Sequence, residues 1–238
     1  MKKHNQSTAQ SDTPTQKMAR VVVAIGLVLA SVVALGMVPV ERAAMRLNTL
    51  VPSALFDQFA TGAPINLPRS NHGATLVLRS CDRALSGHIY QRLQPASRQE
   101  HAAIACRDLA KQAIAQYPRS SLAHLVAART ASILDGYHAA QPHILASATH
   151  APEPSWLAER RITLTLPNLQ GLDAPTAQLL TQDIERVLRH RQGATFLSDQ
   201  LRRTPNATEG LIQVIEALPP AYQRRFLFAY QIHLAEAA

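Results

Sequence analysis

Two cysteines, ten histidines and a set of arginines crowded toward the C-terminal end are the side chains with most chemistry to offer in this sequence. Cys81 and Cys106 flank a loop centred on Gln91–Arg92 at similar distances from the turn, so a helical hairpin would bring them face to face. In an oxidising compartment they form a disulfide, and closing that loop stabilises the fold by about 3 kcal/mol on the chain-entropy account. Two reduced core thiols are the alternative. Among the histidines, His138 and His143 are five residues apart, on different faces of a helix, and no His–His or His–Cys pair has ligand spacing. The expectation is scattered surface histidines, with no metal and no cofactor.

Glu159, Asp183 and Glu185 fall in no acid–base motif, and the chain contains no nucleophile elbow, phosphate loop or dinucleotide fingerprint. No catalytic residue is expected, and a binding role is favoured over an enzymatic one. Arg186, Arg189, Arg191, Arg202 and Arg203 are candidates for an anionic patch, with Arg224 and Arg225 further along. Solvated faces are the default for them, because Asp183, Glu185, Asp199, Glu209 and Glu216 are interspersed. A surface for anionic polysaccharide or lipid headgroups is the sharper alternative. No dense basic run with interleaved aromatics occurs, so no nucleic-acid partner is expected.

The elements that must position these residues are helical. Ala, Leu, Arg and Gln dominate, Gly is scarce and aromatics make up 5% of 238 residues, a bias toward side chains that lose little freedom in a helix. Val21–Val40 carries no charge over twenty positions, the length a bilayer-spanning helix requires. Lys2, Lys3, Lys17 and Arg20 precede it, against one acid, Asp12. The positive-inside bias therefore leaves the N-terminus cytoplasmic and everything after Val40 on the other side. A cleaved signal peptide is the alternative, with small residues at Val32-Val33-Ala34 and Ala34-Leu35-Gly36, but the run exceeds the roughly 7–15 residues of a signal core. From Glu41 onward 20 basic and 15 acidic residues leave a mild +5.

The chain thus divides into a disordered cytoplasmic tail (1–20), a transmembrane helix (21–40), a juxtamembrane linker (41–72) in which Ala44, Leu47 and Leu50 continue the anchor helix before prolines break the chain around one short helix near Ser53–Ala60, and an exported α-helical domain (73–238). Within that domain, Ser97-Arg98-Gln99-Glu100 reads as a capping box opening a helix to Tyr117. Pro118 stops it, Ser120 or Ser121 caps the next, and Ala123, Ala127, Ala128, Ala131 and Leu134 form a narrow stripe ending at Asp135-Gly136. Further helices are expected over 138–149, 155–166, from Asp173-Pro175, and over 194–203, 208–217 and 221–234.

Pro118 and Pro152 are thirty-four residues apart, the period of a helix–turn–helix solenoid. Ala140, Ile144 and Ser147 precede Pro152 at the offsets at which Cys106, Ala110 and Ala113 precede Pro118. On these positions, over about a fifth of the chain from Ile104 to Pro152, the sequence resembles tetratricopeptide repeats. It departs from them at His124, Ala127-Ala128 and Ala131, where the family has an aromatic, a Leu-Gly pair and a tyrosine. The plan of short basic tail, single anchor, Cys-bearing helix pair and one repeat also resembles small single-pass inner-membrane proteins of Gram-negative bacteria found near surface-polysaccharide genes.

The resemblance implies an all-α protein: one N-terminal transmembrane helix, then a helical-hairpin, tetratricopeptide-like solenoid or bundle in the periplasm. It implies a scaffold whose groove over Leu122–Ala148, with His124, Arg129, Tyr137 and His143, engages another envelope protein in surface-polysaccharide assembly. A carbohydrate- or lipid-binding accessory, or an unrecognised envelope enzyme, is the alternative.

Overall fold

A single helix, α1 (Pro14–Thr49), carries the chain from its first described residue into the folded body. The computed structural model describes residues 14–150 and 155–237. Helix α1 is long and apolar enough to cross a membrane, and described side chains of its apolar stretch stand exposed: Leu27 is 64% and Leu35 70% exposed, against 1% for Ala44 near the other end. The expected tail is helical over 14–20; its remainder lies outside the described residues.

The expected juxtamembrane linker is instead part of the core. Ala44 and Leu47 of α1 share one apolar cluster with Leu55, Phe56 and Phe59 of α2 (Pro52–Ala60) and with Val77 of α3 (Asn71–Ala84). The prolines that suggested a linker only punctuate short elements, Pro52 standing in the first turn of α2, where its missing N–H has no partner to lose. Arg83 closes the junction by donating to the carbonyls of Asn48 and Leu50 at 2.9 and 2.8 Å, satisfying acceptors that the end of α1 leaves open. Gly73 is required at this contact, since a β-carbon there would lie 2.6 Å from the Pro68 side chain.

A one-turn helix, α4 (Ile89–Arg92), leads to α5 (Ala96–Gln116). The expected capping box does not form: α5 starts two residues earlier than a Ser97 cap would place it, with Pro95 at the cap position and no side-chain cap. Gln94 secures the start instead, its side chain accepting from Arg98 at 2.5 Å and its carbonyl from Gln99 at 2.9 Å.

Ser120 does cap α6 (Ser121–Leu134), accepting from the Ala123 amide at 3.3 Å. Gly136, at φ +88°, turns the chain into α7 (Tyr137–His150) in a conformation that other residues reach only at a cost. The narrow alanine stripe proves to be a helix buried on most of its circumference, Leu122, Leu125, Val126 and Thr130 included, because α6 lies between α5 and α7 and also touches α3 and the next helix, α8 (Ser155–Thr165).

A 3₁₀ segment at Leu166–Gly171 follows α8. Asp173 caps α9 (Ala174–Leu188), accepting from the Thr176 amide at 2.8 Å. Then come α10 (Arg191–Arg203), α11 (Thr208–Glu216) and α12 (Pro220–Ala237). All regular structure among the described residues is helical. The apolar interior falls into a first cluster around α2, α3, α5 and α6, a second around α8 to α12, and a small one between them under α7. Helix α8 serves all three, sending Leu157 into the first, Ile162 into the second and Leu164 into the third.

Candidate functional site

Cys81 of α3 and Cys106 of α5 are joined by a disulfide, both fully buried, with Cα atoms 5.6 Å apart. The bridge lies inside the first apolar cluster, which is the surrounding of a structural bond and not of a reactive thiol.

The four residues expected to line a groove do not share a surface. Arg129 is turned inward, 5% exposed, with Nε 3.0 Å from an Asp82 carboxylate oxygen and Nη1 3.2 Å from the Leu85 carbonyl. Its charge is consumed within the core, so it is withdrawn as a partner contact. Tyr137 is half-buried at the edge of a cavity of about 580 Å³ between α7 and the 3₁₀ segment, where Gln141 bridges the Gly171 carbonyl and the Asp173 amide. Burial pushes the Tyr137 phenol up to about 12.

His124 and His143 do meet, and His150 joins them: the His124 ring lies 6.0 Å from His143 and 5.3 Å from His150. The expectation of scattered histidines is corrected here, since α7 presents two of them seven residues apart to one on α6. The His124 Nε2 faces the Pro118 carbonyl at 3.1 Å. Burial, and then the neighbouring His124, holds His143 below the ordinary histidine range. Among the described residues, no group of three or more His, Cys, Asp or Glu side chains is placed to hold a metal ion.

The expected arginine patch is also split. Arg186 donates to the buried Asp183 at 2.6 Å, completing a carboxylate that Arg161 already holds through two bonds of 2.7 and 2.8 Å. Arg202 pairs with Asp199, and Arg202 and Arg203 stand exposed at the far end of α10, roughly 17 Å along the axis from Arg191. Arg189 and Arg191 instead gather with Arg224 and Arg225 of α12 around a cleft of about 710 Å³. The sequence had no means of bringing the last pair to the first: only the packing of α10 on α12 does so.

The cleft has the size of a small-molecule site. Its basic rim meets an apolar wall that includes Phe228 and Ile232. Arg189 shares its charge with Glu185 at 3.5 Å, and Arg225 donates to the Leu188 carbonyl. Chemically this arrangement can bind an anion. No protein family matches the chain, and no curated protein or solved structure was found to be similar to it.

Proposed function

We propose that this is a single-pass inner-membrane protein of a Gram-negative envelope, with a cytoplasmic N-terminus and a periplasmic helical domain. The domain works as a scaffold or adaptor for another envelope protein, in surface-polysaccharide assembly on the resemblance its sequence carries, and is not an enzyme. The observation that carries this reading is the unbroken passage of α1 from exposed apolar helix into the core, with Ala44 and Leu47 packed beside Phe56 and Val77. A body joined in this way keeps a fixed attitude to the membrane, as a platform for a second protein requires. A flexible tether would not provide that.

The tetratricopeptide-like arrangement belongs to the same proposal. It is supported by α6 packing between α5 and α7 while also meeting α3 and α8, as a helix that opens each unit of a stacked series would. The equivalent positions of the two units are buried alike: Cys106, Ala110 and Ala113 in one, Ala140, Ile144 and Ser147 in the other. Placing a photocrosslinking residue at His124 or His143 in membranes tests the adaptor role. The expected result is one discrete protein adduct at these positions and none from a control at Gln213; adduct profiles identical at all three sites would overturn it.

A further inference from the structure

We propose that the cleft between α10 and α12 is a binding site for an anionic amphiphile, a molecule with a phosphate or phosphate-like head and an alkyl or prenyl tail. This inference does not depend on the adaptor role.

Four guanidinium groups, Arg189, Arg191, Arg224 and Arg225, converge on the cleft, and no carboxylate lines it. Arg191 and Arg224 are exposed and have no ion-pair partner among the described residues. Guanidinium forks suit the oxygens of a phosphate, which accept two parallel N–H bonds.

A bare anion would leave the other half of the cleft unexplained. Arg224, Phe228 and Ile232 follow one another at four-residue steps along α12, so they form one line on one face. The charged end of that line faces the turn into α10, and the apolar end runs about 12 Å further along the helix. Phe228 is 59% and Ile232 43% exposed, neighbouring apolar groups beside a polar rim, the pattern that marks a binding groove. A ligand with its head among the arginines and its tail over Phe228 and Ile232 satisfies both halves. An acidic polysaccharide satisfies only the first.

The test uses the full chain in neutral maltoside micelles, titrated with dodecyl phosphate and followed by native mass spectrometry. One saturable adduct is expected. R191E/R224E should weaken it at least tenfold with an unchanged thermal midpoint, and the milder R191Q/R224Q should weaken it in the same direction. Phe228→Ser should weaken it several-fold, while R202E/R203E should leave it unaltered. Equal loss in R202E/R203E would reduce the effect to net charge and overturn the site. So would displacement of dodecyl phosphate by inorganic phosphate at equal concentration, which would identify a free-anion site without a tail subsite. Undiminished binding by both Arg191/Arg224 variants would overturn it as well.

Discussion

Arg160 and Arg161 are neighbours in α8 but serve opposite halves of the protein: Arg160 reaches back to Asp82 of α3 at 3.2 Å, and Arg161 reaches forward to Asp183 of α9 at 2.7 Å. The two carboxylates are 3% and 1% exposed, and each is held by two arginines, Asp82 by Arg129 and Arg160, Asp183 by Arg161 and Arg186. A single helix thereby clasps the two apolar clusters.

Removing one member of the inner pair strands a charge in the core. Asp183→Ala or Arg161→Ala should each cost about 3–5 kcal/mol, and the double variant should cost less than the sum. Arg160→Ala, with a side chain 40% exposed, should cost at most about 1 kcal/mol. Chemical denaturation followed by Trp156, which carries the Arg79 guanidinium 5.3 Å from its ring centre at the α3–α8 contact, measures all four. A cost below about 1 kcal/mol for Asp183→Ala would remove the clasp from the account.

The disulfide has a plain readout. Full-chain protein denatured without reductant should take up no thiol label, and C81S/C106S should lower stability by about 3 kcal/mol. Labelling of both cysteines would show reduced core thiols instead.

Two partly buried groups on α7 tie stability to pH. His143 binds its proton less readily folded than unfolded, so below the ordinary histidine value of about 6.5 the unfolded chain takes up more protons and stability falls as the medium is acidified. Tyr137, raised to about 12, keeps its proton in the folded chain while the unfolded chain releases it above about 10, so stability also falls as pH climbs through that window. Thermal midpoints across pH should show both slopes, the acid one flattened in His143→Gln and the alkaline one in Tyr137→Phe. Variants whose slopes match the parent chain would contradict the assignment.

What could be read from the sequence was local. Ser120 and Asp173 are legible as caps because donor and acceptor are three residues apart, and Pro118 marks a helix end because proline has no N–H to continue the ladder. Ser97 failed because Pro95, two residues earlier, had already fixed the start of α5. The expected linker failed for a different reason. Leu55, Phe56 and Phe59 sit on a helix too short to announce an amphipathic face, and their burial depends on α3 and α5, which come later in the chain. Asp82–Arg129 and Arg161–Asp183 are 47 and 22 residues apart, separations at which no spacing rule applies. The cleft followed the same pattern: Arg189 and Arg191 were picked out as charges, but not the apolar wall that gives them a use.

On the proposed topology, α1 crosses the membrane once and holds the helical body on the far side. The most direct measurement is a pair of C-terminal fusions, one to a phosphatase that matures only after export and one to a fluorescent protein that matures only in the cytosol. An active phosphatase with a dark fluorescent partner is the predicted result. A bright fluorescent fusion with an inactive phosphatase would contradict the account.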